Sequence, residues 1–308
     1  EMENQLGLTS HKEVENFGVA KFNEACRGIV SRYTKEWEEV ISRTGRWVDF
    51  EHQYRTMDTS FMETVWWVLK QLWDKGLVFE GYRVMPYSWR IATPLSNFET
   101  KLDNAYRDRT DKAVTVAFEL DAAPAGAPKA DTYYILAWTT TPWTLPGNVG
   151  LAVGNDIDYV EVRNEAGATY ILAKDLLSKI FEGKSHDVVR EMKGSELVGM
   201  SYEPLYPFMK EKFAAKDTAA FEKAYKVYAA DFVTTTDGTG IVHTAVMYGQ
   251  DDFDLGTKLG LPKFHLVNDA GNFVEGCGFL SGRFVKEKNE AGEETVAIDI
   301  VKDLAGRG

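Results

Sequence analysis

The feature that most constrains this chain is a change of period near residue 82. Upstream, apolar residues recur at three- and four-residue steps. Phe22, Cys26, Ile29, Val30, Tyr33, Trp37, Val40 and Ile41 fall on one side of a helix that Gly45 ends. Ser10 with Glu13, and Ser60 with Glu63, have the spacing of capping boxes that open helices. The second of these helices carries Phe61, Val65, Leu69, Leu72 and Trp73 on one side, and Gly76 follows Lys75 as its C-cap. Its tryptophan-rich face reads either as core packing or as a docking face.

Residues 82–98, YRVMPYSWRIATPLSNF, break the helical pattern. Two prolines among scattered β-formers predict an extended connector. Within it, WRIATPL reads as a strand whose partner the sequence does not supply. Downstream, runs of β-branched and aromatic residues bounded by turn residues predict strands at 113–120, 132–141, 150–153, 159–162, 169–173 and 227–235. Helices are expected at about 174–182, 217–225 and 252–259. Residues 203–225 look like an insertion with a charged helix. The fold class is therefore α+β: a barrel-like, mainly antiparallel β domain over 99–308 with peripheral helices. A helical segment, 1–81, and the connector, 82–98, precede it.

A chain of 308 residues is long enough for two cores, and its formal net charge is −12. A domain that gripped nucleic acid unaided would usually be basic, so this one should hold RNA weakly alone, and binding to DNA is not expected. No apolar run approaches the roughly 18 residues of a membrane span, and no membrane partner is expected. The opening residues are acidic and polar and lack an initiator Met. We expect a piece of something larger, without a secretory signal. Cys26 and Cys277 lie too far apart in sequence to imply a disulfide framework or a zinc site. A cytoplasmic location and no metal are expected.

Two strings carry polar chemistry. The first is Thr139-Thr140-Thr141-Pro142-Trp143-Thr144-Leu145-Pro146-Gly147-Asn148, directly after a strand. Hydroxyls at a strand end can bond a ribose, an ester carbonyl or a water, and Pro142 forces the chain out of the sheet. By residue type alone, a threonine-rich edge strand running into a turn reads the same way. The second string is Gly238-Thr239-Gly240-Ile241-Val242-His243-Thr244-Ala245, followed by Tyr248-Gly249-Gln250-Asp251-Asp252-Phe253. Asp237-Gly238 is a turn dipeptide. His243 sits beside a strand, where a structural histidine is the commoner role. Asp251 and Asp252 open a short helix, where one acid can cap while the other faces a pocket. No nucleophile-elbow, Walker A or HExxH pattern is present.

Together the TTTPWTLPGN and GTGIVHTA…GQDDF strings resemble the editing domain (connective polypeptide 1) of isoleucyl-tRNA synthetases. GRWVDF…FMETVWWVLKQLWDKGLVFEGYRVMPYS…TPLSNFE is similar to the segment leading into that domain. The likeness covers most of the chain, least at 203–225 and 283–308. Leucyl and valyl enzymes carry TTRPDT- or TTRPET-like strings; Thr141 and Trp143 stand here at the arginine and the acid, which favours the isoleucine enzyme. No HIGH-like or KMSKS-like string occurs, so ATP belongs only to a ligase site that this chain lacks.

The resemblance implies a proofreading hydrolase that removes valine mischarged on isoleucine tRNA, without a cofactor. Valyl-adenylate is a further possible substrate. A missing methylene is worth only about 1–3 kcal/mol, a figure known for the isoleucine–valine pair itself, so a second sieve is needed. By resemblance, Thr139, Thr140 and Thr141 line a pocket and position the terminal adenosine and ester, and Trp143 forms a wall. Thr144 and His243 bound the space for the valine side chain, Asn148 supports the pocket, and Asp252 holds the α-ammonium. The implied partners are the 3′ end of isoleucine tRNA and the rest of the synthetase chain. The alternative from the same resemblance is a tRNA-positioning module without catalysis.

Overall fold

The structure, a computed structural model, describes residues 1–108, 110–127 and 132–307. The chain divides into two compact units, 1–83 and 84–308, the division falling inside the proline-bearing connector.

The first unit is helical: α1 (Met2–Leu6), α2 (His11–Phe17), α3 (Val19–Arg32), α4 (Thr34–Arg43) and α5 (Thr59–Asp74). Ser10 caps α2 as its spacing predicts, accepting from the Glu13 N–H at 3.3 Å. Glu13 reaches past Ser10 to the Thr9 N–H, which holds its carboxyl below the usual range. The single stripe expected over 19–41 is broken at Tyr33, where the Thr34 hydroxyl bonds back to the Ser31 carbonyl. The Ser60–Glu63 box does not form. Asp58 occupies the N-cap position, but its carboxylate accepts from the Arg55 N–H in the preceding turn. None of these helices contains a buried residue; Trp66, Trp67 and Trp73 stay exposed.

The second unit opens with β1 (Tyr87–Ser88) and β2 (Thr93–Pro94), which pair with each other. The WRIATPL segment thus finds its partner five to seven residues upstream, contrary to expectation, in register Tyr87↔Pro94 and Ser88↔Thr93. Then follow β3 (Val114–Glu119), β4 (Tyr133–Thr139), β5 (Gly150–Val153), β6 (Asp158–Asn164) and β7 (Thr169–Ala173). Helix α6 (Leu177–Ile180), β8 (His186–Lys193), α7 (Phe208–Phe213), α8 (Thr218–Phe221) and β9 (Lys226–Ala229) come next. Last are β10 (Ile241–Thr244), α9 (Gln250–Leu259) and α10 (Thr295–Ala305).

These strands make a five-stranded sheet, order β3-β4-β7-β6-β8, and a three-stranded sheet, order β10-β5-β9. The α+β class holds, but the described strands close no barrel. Two pairings, β4 with β7 and β5 with β9, are parallel, so the sheets are mixed. The physical reason is that β3 and β8 each pair on one side only and stay as edges of the larger sheet, while β10 pairs with β5 in a separate smaller sheet, so no ring of strands closes. One core joins both sheets, with Phe118, Ile135 and Ile171 packed in the same cluster as Leu151, Val227 and Ile241. The other face of the larger sheet buries Leu136, Val160, Val162 and Leu172 around Phe181.

The 203–225 segment is part of that fabric. Met209 of α7 and Ala220 of α8 are buried, and Phe213 stacks on Phe264 with centroids 4.5 Å apart. The strand expected to 235 ends at Ala229, because the chain then turns toward Asp237-Gly238, where Gly238 has φ of 76°.

Candidate functional site

The site grows from three chain ends that the sheets bring together. β4 ends at Thr139 and Pro142 removes the next ladder donor, so the chain winds into a short 3-10 turn over Pro142–Gly147. β5 follows at once. β10 lies antiparallel to it in register His243↔Leu151 and Thr244↔Gly150. Delivery of β10 depends on Gly240, whose φ is 73° and whose missing Cβ would lie 2.3 Å from that of Ala173. The Tyr159 hydroxyl donates to the Gly240 carbonyl at 2.7 Å and fixes the approach.

Threonines 139 and 141 converge. The Thr141 N–H donates to Thr139 Oγ1 at 3.0 Å, and the two hydroxyls stand 3.3 Å apart. Thr140 is exposed. It lines a cleft of about 310 Å³ with Pro142, Lys112, Lys288, Glu293 and Ala297, none of which belongs to the cluster around His243.

That cluster is buried. Thr144 Oγ1 lies 2.9 Å from the Thr141 carbonyl and 2.8 Å from His243 Nε2. A carbonyl can only accept, so the one hydroxyl proton goes to Thr141, and His243 must donate from Nε2. Nδ1 is then free to accept, and Asn148 Nδ2 stands 3.3 Å from it. The second proton of that amide goes to the Gly150 carbonyl at 2.9 Å. Asn148 Oδ1 accepts from the Tyr202 hydroxyl at 2.5 Å. Every polar atom of the chain Thr144–His243–Asn148–Tyr202 is satisfied in one consistent arrangement. Burial pushes His243 down to about 4, so the imidazole is neutral at pH 7. With Nε2 protonated and Nδ1 occupied, it has no free basic nitrogen. It acts as a wall.

Asp252 lies in the first turn of α9, where a carboxylate meets the positive end of the helix. Neither Asp251 nor Asp252 caps the helix with its side chain; Gly249 is the N-cap. Asp252 bends back over Gly249, close enough that a Cβ there would meet its Oδ2 at 2.3 Å. It accepts from the Ala245 N–H, just beyond β10. Burial raises it from 3.8 to about 6 against that hydrogen bond, with a smaller push from Asp251. The side chain is only partly buried. Trp143 packs edge-on against Tyr248 with centroids 5.1 Å apart, tying the TTTPW turn to the start of α9. Its buried Nε1–H has no acceptor among the described residues.

Sequence reasoning named Thr139, Thr141, Trp143, Thr144, Asn148, His243 and Asp252, and their two strings do meet. It missed Tyr202, which sits 54 residues from Asn148 with no motif around it, and the Ala245 N–H, which no side-chain pattern can reveal. Among the described residues, no group of three or more His, Cys, Asp or Glu is placed to hold a metal ion. No helix among them is long and apolar enough to cross a membrane.

The family model for class I tRNA synthetases (I, L, M and V) matches residues 1–257. The chain belongs to the class I tRNA synthetase family. The isoleucine–tRNA ligase of Treponema denticola is 46% identical to this synthetase chain over 309 residues, covering 94% of this chain and 28% of that protein. The isoleucine–tRNA ligase of Bdellovibrio bacteriovorus is 45% identical over 304 residues, covering 98% and 26%. The chain thus spans about a quarter of the length of the curated relatives it matches. A crystal structure described as GlLeuRS-CP1 overlays with a TM-score of 0.46 at 14% identity, covering 64% of this chain and 96% of that one.

Proposed function

We propose that this synthetase chain carries the proofreading site of an isoleucine–tRNA ligase, a hydrolase that removes valine wrongly esterified to isoleucine tRNA. The observation that carries the reading is the meeting of the two polar strings. A neutral, fully bonded His243 stands 2.8 Å from Thr144, and a half-buried carboxylate follows on the next turn.

Each side chain then has a task its chemistry fits. Asp252, with a pKa of about 6, is mostly ionised at pH 7 and offers a charge-assisted hydrogen bond to the α-ammonium. His243, Thr144 and Trp143 bound the side-chain space, which takes an isopropyl group and excludes one more carbon. Thr139 and Thr141, whose hydroxyls converge, hold the terminal ribose and the ester, while Thr140 faces a different cleft; Asn148 supports His243. A water attacks the ester carbonyl carbon, and the bond from that carbon to the ribose oxygen breaks. The ribose oxygen takes the proton that the water gives up, releasing valine and deacylated tRNA. The ester is already activated, so positioning supplies most of the rate.

This reaction needs no cofactor and no metal; ATP serves only the aminoacylation site elsewhere in the ligase. The partners are the isoleucine tRNA 3′ end and the rest of the synthetase chain, in the cytoplasm. We assign 1–81 to the region leading in from the catalytic body, 82–98 to the connector and 99–308 to the editing domain. With a net charge of −12, the chain depends on the remainder of the ligase to deliver tRNA.

Deacylation of valyl-tRNA for isoleucine tests this. In the full-length ligase, Asp252→Ala should lower it by about 30- to 1,000-fold while aminoacylation continues, the loss of one charged hydrogen bond being worth roughly 2–4 kcal/mol. Full activity in that variant removes Asp252 from the site. No deacylation by the parent enzyme leaves a tRNA-positioning module.

A further inference from the structure

We infer that Tyr202 is a positioning residue of this site: its hydroxyl fixes the Asn148 amide, and through that amide the tautomer and orientation of the His243 wall. The inference rests on the proofreading reading for its functional consequence, but its geometric content is independent of it.

Three observations carry it. First, the Asn148 amide has two determinants of orientation. The Gly150 carbonyl, an acceptor only, draws the Nδ2 side, and the Tyr202 hydroxyl 2.5 Å from Oδ1 draws the other. Second, the amide must agree with the imidazole. The Thr144 hydroxyl, committed to the Thr141 carbonyl, calls for a proton on Nε2, and Nδ2 toward His243 lets Nδ1 accept; with the amide reversed, Oδ1 would compete by demanding a proton on Nδ1. Third, Tyr202 itself cannot drift. Only 2% exposed, it stands edge-on to Phe118 at 5.2 Å and 80°. Its N–H donates to the Tyr225 carbonyl at 3.0 Å, and its α-carbon lies in an isolated bridge opposite Leu120. Burial holds its phenol well above the usual range, so the hydroxyl keeps its proton at neutral pH.

A wall that discriminates one methylene must not shift by the radius of a methyl group. A neutral imidazole free to change tautomer would trade its bonds to Thr144 and Asn148 and move. Tyr202 ends the chain Thr144–His243–Asn148–Tyr202 on the core side, and it anchors the others to the core shared by the two sheets.

The test uses Tyr202→Phe, with Tyr225→Phe as control. Tyr225 belongs to the same core, 6.2 Å and 87° from Tyr202, and its hydroxyl takes no part in the network. The first readout is the ¹⁵N NMR spectrum of the histidines in the 308-residue chain. Wild-type His243 should show one neutral tautomer, protonated at Nε2. Tyr202→Phe should shift it toward Nδ1 protonation or a mixture of the two; Tyr225→Phe should not. The second readout is the ratio of valyl- to isoleucyl-ester hydrolysis in the full-length ligase. Tyr202→Phe should lower it about tenfold, within the roughly 10–200-fold that one methylene confers, and Tyr225→Phe should leave it unchanged.

An Nδ1-protonated His243 in the wild type overturns the inference whatever the variant does. So does an unchanged tautomer or an unchanged ratio in Tyr202→Phe, or an equal change in Tyr225→Phe. Should the wild-type ligase hydrolyse neither ester, the proofreading reading fails, and the tautomer data still decide whether Tyr202 orders the network.

Discussion

Asp252→Asn separates stability from function at one atom. Asp252 is raised from 3.8 to about 6, chiefly by burial. Its folded pKa lies above its unfolded one, so the native state binds more protons between these values. Stability therefore falls as pH rises through that window; the penalty is complete above pH 6 and gone below about 3.8. At 1.36 kcal/mol per pKa unit, a rise from 3.8 to about 6 corresponds to about 3 kcal/mol. Asp252 is half-buried, so water screens part of this, and a gain of about 1–2 kcal/mol is expected on removing the charge. The amide is nearly isosteric, and its oxygen can still accept from the Ala245 N–H. Urea denaturation at pH 7.5 should show Asp252→Asn the more stable protein, with the difference closing by about pH 4. The same variant should not deacylate valyl-tRNA, because a neutral amide forms no ion pair with an ammonium. Equal or lower stability at pH 7.5 would refute the reasoning. It would mean that the Ala245 hydrogen bond and the helix end outweigh the cost of burying the charge.

Two further outcomes follow from the same geometry. His243→Ala opens the wall, so hydrolysis of the correct isoleucyl ester should rise severalfold relative to the valyl ester; an unchanged ratio would leave His243 a structural residue. Gly240→Ala places a methyl 2.3 Å from the Ala173 Cβ at a left-handed φ of 73°, and should cost about 3 kcal/mol in a thermal or urea unfolding assay. A loss below about 1 kcal/mol would show that β10 shifts easily and that its register does not define the site.

The site was more legible in the sequence than the sheet order. Pro142 ends β4 and Gly238 turns the chain into β10 through local chemistry that residue types declare. The strands 150–153 and 169–173 appear where their β-branched runs put them. β8 was not legible: HDVVREMK is an edge strand with half of its side chains exposed and one buried, so its polarity hides its pairing with β6. The expected barrel failed on a long-range fact, the pairing of β10 with β5, that no local pattern encodes. Helix α10, with Val296, Ala297 and Ile300 buried, went unread because its period is short and lies after a loop. Thr140 is the instructive case within the site. Three consecutive hydroxyls read as one cluster, but an extended strand end alternates its faces, so Thr139 and Thr141 meet while Thr140 looks into a different cleft. Tyr202 entered only through tertiary packing.

The most direct measurement is a crystal structure of this chain soaked with a non-hydrolysable valyl-adenosine analogue. The account predicts the ammonium within about 3 Å of an Asp252 oxygen, in the range of a charge-assisted hydrogen bond. The isopropyl group should rest against His243, Thr144 and Trp143, with the ribose at Thr139 and Thr141. An analogue seated elsewhere, or seated there with its ammonium turned away from Asp252, contradicts it.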